Sequence, residues 1–320
     1  MRRLRLLLVA ALGCRAPAIP SSQRFPAGTP FTAREVRVEG TRIRYIDTGR
    51  GIPVVLLHGL GASMYAWRKT LGPIAAAGFR VIAFDNRGFG YSDEPATGYD
   101  NESYVRLTVA LLDSLHIADA VLVGHSMGGA IAAQVAIEHP DRVRGLVLIG
   151  SAGLGAREPI ALRIAGWPVV GRAAVALRGR GMTARLLRAT YADPEKVTEA
   201  DVDQYYAPTV QPDYGRALRG VLREFRFDAL QARLEHVAAP TLVLWGEEDR
   251  LVPMGLGRMM AIGIPRAAFL SVAHAGHSVQ EEAPDEVNRL LIKFLREGLP
   301  RVPGDLARGP SRCIFHQPPG

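Results

Sequence analysis

Ala120-Val-Leu-Val-Gly-His-Ser-Met-Gly-Gly129 passes from an apolar run into glycines set around one serine. Ala120–Val123 reads as a buried strand, and Ala130–His139 continues as an apolar, alanine-rich helix closed by Pro140. Between them Gly124-His-Ser-Met-Gly128 has the spacing Gly-x-Ser-x-Gly. A serine on so sharp a strand-to-helix turn carries its hydroxyl exposed above a sheet. The turn predicts a positive φ at Ser126, a strain of about 1–3 kcal/mol that the surrounding packing must overcome. Gly124 and Gly128 suit it because a Cβ at either place would crowd strand against helix. A helix starting at Met127 aims its free N–H groups and positive end at the same point, where an anionic intermediate could sit. Ser126 is therefore the candidate nucleophile. The alternative is a glycine-rich β-to-α turn with an incidental serine.

With 320 residues, the chain is long enough for one large α/β domain with an insertion, or for two small domains. Its 48% hydrophobic and 22% charged residues suit a globular protein with a sizeable core. The formal net charge is +8, but the excess gathers in the first fifty residues, where many arginines face only Glu35, Glu39 and Asp47. No helix-turn-helix, zinc-finger or RNA-binding signature accompanies it, so nucleic acid is not an expected partner. The two cysteines, Cys14 and Cys313, have no metal-ligand spacing and make no disulfide framework.

Met1-Arg-Arg-Leu-Arg5 is a basic leader, and Leu6–Gly13 is an apolar run too short to span a bilayer as a mature helix. Residues 1–18 read as a secretory signal. Ala11-Leu-Gly-Cys14 resembles a lipoprotein cleavage site, with Cys14 as the lipidated residue and a membrane attachment point. Ala16-Pro-Ala18 is a competing cleavage site. The expected location is periplasmic or membrane-anchored; the alternative is a cytoplasmic protein with a disordered basic leader. Residues 19–32 read as a linker rich in Pro, Ser and Gly.

From residue 33 strands and helices alternate. Ala33–Glu39 and Arg42–Asp47 predict an edge hairpin, Pro53–Leu57 and Arg80–Phe84 buried strands, and Tyr65–Ala77 and Asn101–Leu115 helices. After the serine turn, Val143–Ile149 is a further strand. Residues 152–238 then show helical patches and no clear strand: Ala173–Leu177, Thr183–Tyr191, Glu199–Tyr206, Tyr214–Phe225 and Ala229–Val237. A helical insertion between two sheet strands is the simplest account. Thr241–Trp245 restarts the sheet, followed by helix Met254–Ile262, strand Ala267–Val272 and helix Pro284–Leu295. Residues 300–320 read as a loose tail. The predicted fold is α/β: a mostly parallel eight-stranded sheet flanked by helices, with core residues 33–151 and 239–299.

A serine hydroxyl is a poor nucleophile at neutral pH and needs a base, which in turn needs an orienting group. The chain order Ser…Asp…His suits a sheet of this kind. Asp249, in Gly246-Glu-Glu-Asp-Arg-Leu-Val-Pro253, lies just past a strand and is the candidate acid, with Glu247 and Glu248 as rivals. His277, in Ala273-His-Ala-Gly-His-Ser278, is the candidate base, with His274 as its rival; His58 and His125 also lie in strand-end loops, and chain order with the Gly276 turn favours His277. An acyl-transfer site also needs two N–H donors for the developing oxyanion, each worth roughly 3 kcal/mol. Met127 supplies one. Leu60, in His58-Gly-Leu-Gly61, is the candidate for the other, with His58 itself structural. No metal or organic cofactor is required.

These pieces together resemble the α/β-hydrolase superfamily from about residue 33 to 298. The matching motifs are His58-Gly-Leu-Gly61, Asp85-Asn-Arg-Gly-Phe-Gly-Tyr-Ser92, Gly124-His-Ser-Met-Gly-Gly129, Trp245-Gly-Glu-Glu-Asp249 and Gly276-His277. The resemblance implies a Ser126–Asp249–His277 triad, a cap formed by residues 152–238, and loop-stabilising roles for Asp85 and Arg87. A serine at the elbow is unlike the aspartate of epoxide hydrolases and haloalkane dehalogenases. The C–C bond hydrolases of meta-cleavage type are similar in size and cap, but usually carry Asn before the serine and Trp after the histidine. Here His125 and Ser278 stand in those places, and carboxylesterases and haloperoxidase-like perhydrolases accommodate both. The expected activity is hydrolysis of a small carboxylic ester through an acyl-Ser126 intermediate. The alternatives are C–C hydrolysis, perhydrolase chemistry, or a non-enzymatic binding module on the same fold.

Overall fold

In the computed structural model residues 31–155 and 179–299 are described. Strands β1 (Arg34–Val38) and β2 (Thr41–Gly49) form the predicted hairpin, paired antiparallel from Arg34↔Tyr45 to Val38↔Thr41. The others are β3 (Pro53–Leu57), β4 (Arg80–Phe84), β5 (Ala120–His125), β6 (Val143–Ile149), β7 (Thr241–Gly246) and β8 (Ala267–Val272). They form one sheet in the order β1-β2-β4-β3-β5-β6-β7-β8. β2 runs antiparallel to β4, and every pairing from β4 to β8 is parallel. Helices on both faces bury the central strands, which is why they read as unbroken apolar runs.

The pleat divides each strand between two cores. Val55 and Leu57 of β3 and Leu122 of β5 face helices α2 (Asn101–Ser114) and α3 (Met127–Glu138). Val54, Leu56, Val121 and Val123 face the other way, onto α1 (Leu71–Ala76) and residues Val287, Leu290 and Leu291 near the C-terminal side. Asp100 caps α2 by accepting the Ser103 N–H at 2.8 Å. Apolar nearly all round, α3 is buried against β5, β6 and α2.

Three stretches depart from expectation. Tyr65–Ala77 is two pieces: a 3-10 turn at Met64–Trp67, begun by Ser63, and then α1. Gly72 and Pro73 at the start of α1 favour a fresh helix start over continuation. Ala229–Val237 is turns ending in a short 3-10 segment, Leu234–His236, rather than a helix. Its leucines still reach the core, with Leu230 fully buried. The linker was expected to run to residue 32, yet Phe31 already packs on the second core.

Between β6 and β7 the described residues contain helices and no strand: α4 (Arg180–Arg188), α5 (Glu199–Tyr206) and α6 (Tyr214–Glu224). A Thr198–Asp201 capping box starts α5. Ala184, Leu187, Tyr191, Val197 and Val202 give α4 and α5 a small core of their own. A buried ionic cluster ties that unit to the sheet domain. Arg68 pairs with Asp201 at 2.7 Å and with Glu281; Tyr65 donates to Asp201 at 2.7 Å and Tyr205 to Glu281 at 2.6 Å. Burial pushes the Glu281 carboxyl up, and the Arg68 charge pulls it back. After β7 come α7 (Met254–Gly263), β8, α8 (Val279–Glu282) and α9 (Pro284–Lys293). The expected leader with Cys14, the tail at 300–320 and the helix at Ala173–Leu177 lie outside the described residues. Among the described residues no helix is long and apolar enough to cross a membrane.

Candidate active site

Ser126 stands between β5 and α3 with φ +53° and ψ −119°. That backbone is strained for a residue with a Cβ, and its neighbours hold it. The Ser126 N–H donates to Ile149 O at 3.0 Å, and its carbonyl accepts Gly129 N–H at 2.9 Å and Ala152 N–H at 3.0 Å. The flanking glycines are sterically required. A Cβ on Gly124 would lie 2.3 Å from the Gly128 carbonyl oxygen, and one on Gly128 would lie 2.3 Å from that of Leu57.

His277 and Asp249 meet across the loops after β8 and β7. The His277 Nδ1–H donates to Asp249 Oδ2 at 2.8 Å. The second carboxylate oxygen accepts the N–H groups of Leu251 at 2.9 Å and Val252 at 2.8 Å. One oxygen thus anchors the loop while the other orients the imidazole, whose tautomer leaves Nε2 unprotonated. Both residues are buried. The rivals lie elsewhere. His274, at φ +54°, has a 92% exposed side chain loosely paired with Glu248 at 3.7 Å. Glu247 accepts from Ser271 at the surface, and Glu248 faces Arg250.

The residue before the serine joins the two halves. The ring of His125 lies 4.8 Å from that of His277, tilted by 49°. Its Nε2–H donates to the His277 carbonyl oxygen at 3.0 Å. Burial, with smaller contributions from His277 and His58, lowers its pKa from 6.5 to about 3, so it stays neutral. Gly59 closes the opposite side: a Cβ there would come within 3.1 Å of Ser126 Cβ. The structure therefore brings the loops of Ser126, His277 and Asp249 together at the C-terminal ends of β5, β7 and β8.

Leu60, in the loop after β3, and Met127, the first residue of α3, flank the serine. Among the described residues neither N–H is engaged by another protein group. His58 is structural: its Nδ1–H donates to Gly59 O at 2.8 Å and its Nε2 accepts Asn86 N–H at 2.9 Å. Asp85 accepts Met64 N–H at 2.7 Å and Tyr91 N–H at 2.9 Å. Arg87 reaches Thr41 and the Gly98 carbonyl. Both brace loops beside the site. Among the described residues no group of three His, Cys, Asp or Glu side chains is placed to hold a metal.

Two features escaped sequence reasoning. One is the contact of His125 with His277, whose only signal was a histidine inside the elbow. The other is Glu282, a fully buried carboxylate beside the His277 loop. In sequence it is one acid in Glu281-Glu-Ala-Pro-Asp-Glu286, just before the closing helix predicted from Pro284.

Comparison with known proteins places this geometry among relatives. A family model described as alpha/beta hydrolase fold matches residues 52–284. The chain is 33% identical over 281 residues to 2-hydroxymuconate semialdehyde hydrolase of Pseudomonas sp. (strain CF600), covering 85% of this chain and 96% of that protein. It is 34% identical to 2-hydroxy-6-oxo-6-phenylhexa-2,4-dienoate hydrolase of Comamonas testosteroni, covering 80% and 91%. Among solved structures it resembles a meta-cleavage product hydrolase from Pseudomonas fluorescens, with TM-score 0.73, 30% identity and 82% and 97% coverage.

Proposed function

The chain belongs to the α/β-hydrolase family, and we propose that within it this protein hydrolyses a C–C bond in a vinylogous diketone acid of the 2-hydroxy-6-oxo-2,4-dienoate class. The observation that carries the chemistry is the His277–Asp249 bond, which leaves Nε2 of the imidazole turned away from the carboxylate on a ring that lies against His125, the residue before Ser126. The relatives favour this substrate class over the ester expected from the motifs alone.

The bond broken is C5–C6, beside the 6-oxo group. The substrate first ketonises: the proton of the 2-hydroxyl leaves oxygen and one is gained at C5. His277 Nε2 takes the Ser126 proton as Oγ adds to the C6 carbonyl. The amides of Leu60 and Met127 hold the oxyanion. Collapse expels C5, whose electron pair spreads through the C3–C4 double bond onto the C2 oxygen, and the His277 proton neutralises it. Water, deprotonated by the same imidazole, releases the carboxylic acid from Ser126. Asp249 holds the imidazole and stabilises its protonated form. No cofactor takes part in this scheme, and the helices between β6 and β7 act as a cap.

A second reading keeps the same machinery but makes the substrate a carboxylic ester. His125 and Ser278 favour it, since C–C hydrolases usually carry Asn and Trp there. The two are separated by assaying purified protein on a 2-hydroxy-6-oxo-dienoate, by loss of its visible absorbance, beside short p-nitrophenyl esters. A kcat/KM for the dienoate at least tenfold above that for every ester supports C–C hydrolysis; the reverse order overturns it.

A further inference from the structure

Residues 276–278, which carry the base, are pinned from outside their own loop at three successive main-chain groups. Gly276 N–H donates to Glu282 Oε2 at 2.7 Å. The His277 carbonyl accepts from His125 at 3.0 Å. Ser278 N–H donates to the Thr190 carbonyl at 3.0 Å. Glu282 does more than hold Gly276. Its Oε2 also accepts Ala192 N–H at 2.9 Å, and its Oε1 accepts Asp193 N–H at 2.8 Å. Lys196 is the nearest cation, 4.0 Å from Oε1.

The carboxylate is wholly buried, so bonds to three main-chain N–H groups replace its water. Two of those donors, Ala192 and Asp193, belong to the segment after α4, and the third precedes the base. The fit is close: a Cβ on Gly276 would lie 2.7 Å from both Ala192 N and Thr190 O. The Thr190 and Ser278 hydroxyls meet at 2.8 Å and close the seam. Residues Ala192 and Asp193 and the N–H of Gly276, the residue before the base, thus share one anchor.

We propose that Glu282 is a positioning residue for His277, and that through it the alignment of the base depends on the seating of residues 190–193. This rests on the reading of His277 as the base of Ser126. Glu282→Gln makes the change with least steric cost: a side-chain NH2 must then face a main-chain N–H, and at least one of the three bonds is lost.

The test is the second-order rate at which a small fluorophosphonate labels Ser126. In that step Oγ bonds to phosphorus, fluoride leaves, and His277 takes the hydroxyl proton. The step needs the base but none of the dienoate contacts. Four full-length proteins are compared: wild type, Glu282→Gln, His277→Ala and the double variant. Glu282→Gln should label at least tenfold more slowly than wild type, and should slow the His277→Ala background no further, because its effect runs through the missing ring. On substrate it should lower kcat with KM within twofold, and Glu282→Asp should fall between. A folded Glu282→Gln protein that labels within twofold of wild type overturns the proposal. So does an equal loss in both backgrounds, which marks a merely structural staple. Should Glu282→Gln not fold, the pair Thr190→Val and Ser278→Ala loosens the same seam, and labelling within twofold of wild type overturns the proposal there too. Wild type that resists labelling overturns the serine reading itself, and this proposal with it.

Discussion

The ring of His125 lies 4.8 Å from that of His277, and its Nε2–H donates to the His277 carbonyl oxygen at 3.0 Å. The ring is buried, and burial holds its pKa at about 3 against an ordinary 6.5, so it stays neutral. The folded-state pKa lies below the unfolded one. The contribution to stability is therefore whole above pH 6.5 and is lost as pH falls through 3. The full loss is on the order of 5 kcal/mol. Gln at this position sets its amide nitrogen where Nε2 of the ring stands, so it keeps a donor for the carbonyl but does not titrate. The Tm of His125→Gln should fall less steeply than that of wild type across this window, measured by thermal melts from neutral to acid pH. Parallel curves for the two proteins reject the assignment.

Asp249 divides its carboxylate between an imidazole and two loop amides. Asn in its place can still accept both loop N–H groups with its oxygen, but turns an NH2 toward Nδ1 and reverses the tautomer. Asp249→Asn should lower kcat by about 10³–10⁴-fold with little change in Tm. Glu247→Gln and Glu248→Gln, altered at exposed acids, should stay within about twofold of wild type. A larger loss in either surface variant than in Asp249→Asn would reassign the acid.

In the proposed mechanism, removing the Ser126 hydroxyl takes away only the attacking atom, since the strained turn is held through main-chain bonds. Ser126→Ala should lose about 10³-fold or more in kcat on either substrate class, while circular dichroism and Tm stay close to wild type. Turnover at the wild-type rate would exclude the serine mechanism.

Arg68 is the cation between Asp201 and Glu281, and all three side chains are nearly buried. Arg68→Met leaves two carboxylates in the seam between α5 and the sheet domain. A loss of about 3–5 kcal/mol in denaturant unfolding is expected. Adding Glu281→Gln to Arg68→Met should recover part of it. If Arg68→Met unfolds with the wild-type midpoint and slope, the cluster contributes no net stability.

Glycines divide sharply by what surrounds them. Gly128→Ala drives a Cβ to within 2.3 Å of the Leu57 carbonyl oxygen and should cost about 3 kcal/mol or more. Gly255→Ala, within α7, meets nothing within 4 Å. It should gain about 0.5–1 kcal/mol by reducing unfolded-state entropy and restoring helix propensity. The two unfolding midpoints should move in opposite directions.

Much of this protein is legible along the chain because its signals are local. Unbroken apolar runs such as Pro53–Leu57 mark strands that helices cover on both faces. Gly124, Ser126 and Gly128 state the elbow, because only that turn needs a serine at positive φ between two residues lacking Cβ. The order of Ser126, Asp249 and His277 follows from the parallel sheet, whose loops after successive strands open at one end. What the chain could not state is which groups meet. His274 and His277 are three residues apart in similar sequence, yet one is exposed and the other bonded to Asp249, because only the fold decides which faces inward. Nothing in the sequence marks Glu281 and Glu282 as buried; they are anchors because Arg68 and the amides of Ala192 and Asp193 arrive from distant segments. A carboxylate carries no mark of burial in its own sequence; its partners come from elsewhere in the chain, and tertiary packing alone brings them to it.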